Sequence, residues 1–140
     1  MSDLISIIMP VKDAQQWLEE CLASIQAQSI QNWELIAVDD HSSDNSLNIL
    51  KMASEKDERI HVSINNGTGI IDALEAALSL TNGSWISRMD ADDLMPPNKL
   101  ELLFAALDSN EKAVSTGKVK YFGEEEITQG YQEYEDWLNE

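Results

Sequence analysis

Several things are scarce in this sequence. Cys21 is the only cysteine. No disulfide can form within the chain, and no thiol cluster can hold zinc. Cys21 falls among apolar residues at helical spacing, which predicts a core position. Two histidines, His41 and His61, are too few and too far apart for a histidine-rich metal site. Basic residues are scarce as well: nine face twenty-six acidic ones, for a formal net charge of −17. Such a surface repels phosphate backbones and anionic lipid heads, so nucleic acid is excluded as a partner. Any polyanionic ligand would need a cation to bridge it. For most of the carboxylates, solubility is reason enough. The start, MSDLISIIMP, lacks the basic residues and long apolar run of a signal peptide. No apolar stretch reaches the length of a membrane span. These absences predict a cytoplasmic chain, or one peripheral to the membrane within a longer protein. There is also no G-x-G-x-x-G after the first apolar run and no G-x-x-x-x-G-K-[ST]. A Rossmann dinucleotide site and a P-loop are therefore excluded.

What is present is an alternation. The 140 residues suffice for one substantial core. Leu4 to Met9 reads as a buried strand stopped by Pro10. A helix follows over Ala14 to Gln28, with Trp17, Leu18, Cys21, Leu22 and Ile25 on its apolar side. Asp13 and Gln16 are spaced as a capping box at its start. Trp33 to Val38 is a second strand, closed by Asp39 and Asp40. A polar turn, His41 to Asp44, leads to a helix carrying Leu47, Leu50 and Ala53. Ile60 to Ile64 is a third strand. The loop Asn65–Gly69 opens a helix with Ile71, Leu74 and Leu78. Trp85 to Met89 is a fourth strand, followed by Asp90-Ala91-Asp92-Asp93. Pro96 and Pro97 fit the start of another helix, and Ala113 to Phe122 reads as a fifth strand. Tyr131, Tyr134 and Leu138 outline an amphipathic helix in the Glu-rich tail. Repeats, low-complexity runs and linkers are absent. The pattern predicts an α/β fold with a mostly parallel central sheet and helices on both faces.

In such sheets ligands bind beyond the carboxyl ends of the strands. Asp13, Asp39, Asp40, Asp90, Asp92 and Asp93 all fall at that edge. Like charges crowded there disfavour one another's ionisation unless a cation or donor network occupies the site. Carboxylate oxygens suit Mg2+ or Mn2+. In extended chain, residues two apart point the same way, so Asp90 and Asp92 can face one site. Asp93 would point elsewhere and cap the next helix. A solvated loop of capping aspartates is the competing reading, weakened by the position at a strand end. Asp39 and Asp40 can likewise be turn formers or hydrogen-bond acceptors for a nucleobase or ribose. The Asn66–Gly69 loop can lend backbone N–H groups to an oxygen or be a plain turn.

Taken in order, four segments resemble the inverting glycosyltransferases of family 2, which have the GT-A fold. They are Ser6–Asp13, Trp33–Asp44, Asn65–Gly67 with the helix after it, and Arg88–Asp93 with its D-x-D. The resemblance runs from Ser6 to about Leu107. It implies a metal-dependent transfer of a sugar, with inversion, from a nucleotide-diphosphate sugar (a UDP-sugar) to a saccharide or lipid-linked acceptor, in cell-surface polysaccharide biosynthesis. It implies Pro10, Val11 and Asp13 near base and ribose, and Asp40 as the base-binding partner. Asn66 and Gly67 join the donor site. Asp90 lies toward the ribose or metal shell, and Asp92 is the direct ligand of Mg2+ or Mn2+. Two departures stand out. Lys12 and Asp13 replace an aromatic residue and Asn, so base stacking from that position is lost. Ile70, Ile71 and Asp72 stand where an Arg near the diphosphate is common.

Members of the family are about twice as long, and their general base comes from the second half. The resemblance therefore places the base outside this chain. It divides the chain into a nucleotide-sugar-binding part, 1–122, and a segment, 123–140, that begins the acceptor side or forms a C-terminal helix. The aromatic tail at Tyr131, Tyr134 and Trp137 either starts an acceptor surface or packs on the core. A non-catalytic module that only holds the nucleotide sugar is the alternative function. An aspartate phosphorelay receiver, also doubly wound and acidic, is disfavoured. Its acid pair should follow the first strand, whereas here the pair follows the second and the third ends in Asn65-Asn66.

Overall fold

A computed structural model describes residues 3–107 and 113–140. Within them the chain forms β1 (Ile5–Val11), α1 (Leu18–Gln26), β2 (Trp33–Asp39), α2 (Ser46–Lys56), β3 (Ile60–Ile64), α3 (Ile70–Ser79), β4 (Trp85–Arg88), α4 (Lys99–Ala106) and α5 (Gln129–Leu138). It divides into two compact units, Met1–Glu101 and Leu102–Glu140.

The first unit is an α/β layer structure. Its four strands are all parallel, in the order β3-β2-β1-β4. β1 and β2 are apolar along almost their whole length because helices cover both faces, as parallel sheets require. On one face Ile8, Ile36 and Val38 meet Ala73 and Ala77 of α3. On the other, Met9 touches Cys21 of α1. The periodicity of α3 predicts that Ile71, Leu74 and Leu78 face the core. Leu74 does pack, partly buried, against this cluster, but the fully buried contacts are Ala73 and Ala77, while Ile71 and Leu78 are exposed. Small side chains let the helix backbone lie close on the sheet, and Ile71 and Leu78 are rotated outward.

The non-carboxyl edge is fastened by one buried acid. Glu34 accepts hydrogen bonds from the Ser6 hydroxyl (2.5 Å), from Asn82 N–H (2.6 Å) and from Asn82 Nδ2 (3.0 Å). Gly83 N–H in turn donates to Ser6 Oγ at 2.8 Å. These bonds seat the α3–β4 turn on β1 and β2. Gly83 has no room for a side chain: a Cβ there would lie 2.5 Å from the Leu4 carbonyl oxygen and 2.9 Å from Ser6 N.

In the second unit, 113–122 is not a strand. Its backbone groups bond side chains of α5 and of Asn139, the residue that follows it, instead. Val119 N–H donates to Asn139 Oδ1 and its carbonyl accepts from Asn139 Nδ2, both at 2.7 Å, and Tyr121 N–H donates to the Glu135 carboxylate. The C-terminal amphipathic helix is present as α5, with Tyr134 and Trp137 stacked 5.6 Å apart. Among the described residues no helix is long and apolar enough to cross a membrane.

Candidate functional site

Three loops meet at the carboxyl edge of the sheet: β1–α1, β2–α2 and β3–α3. Strand pairing sets their register. Val11 pairs with Asp39, and Asp39 with Ile64. The ladder continues past the strands, with Asp40 N–H donating to Val11 O and Asn65 N–H to Asp39 O, each at 2.8 Å.

Asp13 and His41 are left-handed, with φ of 47° and 58°. Both are residue types that tolerate this region, and each pays for it with bonds to a neighbouring loop. Asp13 Oδ1 accepts from Ser43 N–H at 2.6 Å, Ser43 Oγ at 3.1 Å and Asp44 N–H at 3.3 Å. It therefore staples two loops together rather than capping α1, which begins at Leu18 without a side-chain cap. His41 Nε2 lies 2.9 Å from the Gly67 carbonyl and so ties on the third loop.

The two aspartates after β2 differ sharply. Asp39 is buried and accepts from Ser42 N–H at 3.1 Å through Oδ2. Its other oxygen is buried with no partner among the described residues. Asp40 sits at the start of α3. Asn65 Nδ2 donates to Oδ1 at 2.9 Å, and Gly69 N–H is 3.0 Å from both carboxylate oxygens. The Asn65 bond above all, then the Gly69 N–H and the nearby Lys12 and His41 charges, outweigh burial and hold this carboxyl below the ordinary value of 3.8. Asp40 is thus an anion fixed in place at a helix N-terminus, where negative charge is stabilised.

After β4 the chain turns instead of running on extended. Asp93 N–H bonds the Asp90 carbonyl at 3.2 Å. The expectation that Asp90 and Asp92 share a side because of strand alternation is therefore replaced by a turn. Both still line one cleft. Asp90 is half-exposed and 3.2 Å from Arg88 Nη2, a surface pair of small energetic value. Asp93 does not cap the next helix, which starts at Lys99. Burial and then the charges of Asp92 and Asp90 push its carboxyl up, against the pull of Lys99. Beneath them Cys21 is buried, 3.6 Å from the Asp90 carbonyl. Burial and then the same three aspartates push its thiol up to about 12.

The cleft has a volume of about 430 Å³, within the range of small-ligand sites. Its walls are Pro10, Val11, Lys12, Ala14, Trp17, Asp40, Ile70, Asp90, Ala91 and Asp92. Of the residues proposed from sequence, Pro10, Val11, Asp40, Asp90 and Asp92 come together here. Asp13, Asn66 and Gly67 stand outside the lining. Trp17, read as a core residue of α1, precedes that helix and is 44% exposed on the cleft wall.

Residues 6–138 match the family described as Glycosyl transferase family 2. The chain belongs to that family. Among curated relatives, it is 32% identical over 125 residues to the Escherichia coli UDP-Glc:alpha-D-GlcNAc-diphosphoundecaprenol beta-1,3-glucosyltransferase WfgD, covering 89% of this chain and 49% of that one. It spans only 36% and 42% of two other curated relatives, from Haemophilus influenzae and Streptococcus pneumoniae. Among solved structures, residues 1–349 of S. aureus TarS in complex with UDP-GlcNAc match with a TM-score of 0.64 and 25% identity, over 84% of this chain and 38% of that one. TarS in another crystal structure gives a TM-score of 0.74 at 24% identity, covering 89% and 23%. The mannosyltransferase PcManGT from Pyrobaculum calidifontis, in complex with GDP-Man and Mn2+, matches at 0.60 and 24%, covering 72% and 30%. The fold is that of the GT-A glycosyltransferases.

For this family 2 chain, the donor set at the cleft can be compared with a divalent cation. Among the described residues, no group of three His, Cys, Asp or Glu side chains could hold an ion unaided. Asp90 and Asp92 offer two carboxylates beside open space. That is the set on which Mg2+ is held when phosphate oxygens and water complete its shell, so the residues fit.

Sequence reasoning missed Asn65. It is buried, donates to Asp40 and accepts from Gly67 N–H at 3.1 Å. An Asn in a turn carries no mark of which carboxylate it will meet. Lys12, which departs from the family pattern, is a wall of the cleft.

Proposed function

We propose that this chain binds a UDP-sugar with Mg2+ or Mn2+ and belongs to an enzyme that transfers the sugar, with inversion, to an acceptor hydroxyl. The carrying observation is that Asp40, Asp90 and Asp92 line one cleft although they come from different strand ends. β2 and β4 flank β1 on opposite sides, so the cleft has two acidic ends with Pro10 and Val11 between them. Asp40 at the β2 end accepts from the base, and Pro10 and Val11 support base and ribose. At the β4 end Asp92 is the direct ligand of the cation, with Asp90 facing ribose or the metal shell. A cation held there would supply Lewis-acid neutralisation of the departing diphosphate.

In the transfer, the acceptor oxygen forms a bond to the anomeric carbon as the bond from that carbon to the diphosphate oxygen breaks. The acceptor proton passes to a base opposite the leaving group. Asp40, Asp90 and Asp92 all have donor-side roles, so that base is supplied from elsewhere in the full enzyme. The acceptor is a saccharide or lipid-linked saccharide at the cytoplasmic side of the membrane, in cell-surface polysaccharide assembly.

A second reading is favoured by the same lining. With no further carboxylate in it among the described residues, this chain alone is a nucleotide-sugar-binding module. Calorimetric titration with UDP, with and without Mn2+, tests what the two readings share, and turnover in the presence of acceptor separates them. Asp92→Ala is expected to abolish the Mn2+-dependent part of UDP affinity while leaving the melting temperature unchanged. Metal-dependent binding that survives the substitution would remove the metal assignment.

A further inference from the structure

Lys12 is the one cation among the ten residues lining the cleft, in a chain of net charge −17. Its position is fixed. Nζ donates to the Asp40 carbonyl at 2.8 Å and to the His41 carbonyl at 3.0 Å. Both acceptors belong to the loop after β2, so the ammonium leans to the Asp40 end, away from Asp90 and Asp92 across β1. An ammonium has three N–H groups. Two are spent on the loop, and the third has no acceptor among the described residues.

The geometry points to Lys12 as a specificity-determining residue that reads a ring carbonyl of the donor's base next to the ring N–H taken by Asp40. This rests on the nucleotide-sugar reading and says which bases it admits. Asp40 is an obligate acceptor while ionised, and Lys12 is an obligate donor. Together they match a ring edge on which N–H adjoins C=O. Uracil presents that edge at N3 with its flanking carbonyls, and guanine at N1 with O6. Cytosine and adenine present a bare ring nitrogen beside an amino group. Against the Asp40–Lys12 pair, that edge sets acceptor against acceptor and donor against donor. The alternative, an ion pair with the diphosphate, would place the charge at the other end of the cleft, beside the metal-binding carboxylates.

The test measures affinity for UDP, GDP, CDP and ADP at one fixed Mn2+ concentration, for the unaltered chain and for Lys12→Met. All four carry the same diphosphate, so their ratios isolate the base. The unaltered chain is expected to favour UDP or GDP over both CDP and ADP by about tenfold or more, and Lys12→Met to shrink that preference to about threefold or less. Which of UDP and GDP leads identifies the natural base. If UDP leads, 2-thio-UDP or 4-thio-UDP should bind the unaltered chain about fivefold more weakly than UDP, with the loss absent in Lys12→Met, since the cycle isolates a direct contact. If GDP leads, 6-thio-GDP takes that place. Lys12→Gln, whose amide can keep one tether to the loop, gives the same reading if the Met variant does not fold. An equal loss for all four diphosphates would assign the ammonium to phosphate and overturn the proposal. Unchanged base ratios, or thio effects that persist in the variant, would overturn it as well. If the unaltered chain binds none of the four, the nucleotide reading itself falls; binding without base preference removes only Lys12's role.

Discussion

At the scale of single residues, one carboxylate has two duties. Asp40 is proposed to accept from the base, and it also holds the first turn of α3 through Gly69 N–H. Asp40→Ala should therefore weaken UDP about tenfold or more even without metal, and lower the melting temperature as well. Asp92, exposed and outside the internal hydrogen bonds described, should show only the ligand effect. Titration and thermal melts on both variants check the contrast. Cys21 gives an independent probe of the packing under the acidic turn. A thiol pushed up to about 12 and fully buried is almost all protonated and out of reach at pH 8. An aromatic disulfide reagent should leave it unmodified in the native chain and label it promptly in denaturant. The place of Asp90 and Asp92 at the carboxyl edge was legible in the sequence because they directly follow an apolar run, and both line the cleft there. Trp17 was misplaced because helical spacing extends one residue beyond the helix itself.

At the scale of elements, the strands and α1 to α3 follow from periodicity and strand-end punctuation, whereas contacts far apart in sequence do not. Glu34 is the clearest case. In the sequence it is one polar residue inside an apolar strand. In the structure it gathers Ser6 and Asn82, 28 residues before it and 48 after. Burial pushes its carboxyl up, but hydrogen bonds from Ser6, Asn82 and Gly83 together hold it below the ordinary 4.5. A carboxylate depressed by folding contributes stability above its unfolded pKa and loses it as pH falls through the folded value. Glu34→Gln should thus cost about 1–3 kcal/mol at neutral pH. The gap to the unaltered chain should narrow below pH ~4.5, which urea unfolding across pH 3–7 would measure. The expected strand over 113–122 failed for a related reason. Its alternation was read as a strand, but a strand needs a neighbouring strand, and here the side chain of Asn139, just past α5, bonds the Val119 backbone instead. On α3, Leu74 packs on the core as its spacing suggests, but Ile71 and Leu78 do not, because close helix–sheet contact favours Ala73 and Ala77 over bulkier residues.

At the scale of the whole molecule, alternation of strand and helix made the parallel sheet, and the edge at which its cleft lies, legible. The order β3-β2-β1-β4 was not, since it depends on which strands meet in space. That order has a mechanical consequence. β4 is a four-residue strand at one side of the sheet, and β2 is an interior strand paired on both sides. A nucleotide reaching from Asp40 to Asp92 would span the ends of β2, β1 and β4. The donor would then act as a crosstie, lending the rigidity of the centre to the margin. Deuterium uptake at the β4 amides and in the 89–93 turn should slow on adding UDP with Mn2+, by more than at β2, where little opening is available to suppress. Uptake that slows equally in both, or in neither, would mean that the ligand does not bridge the strands.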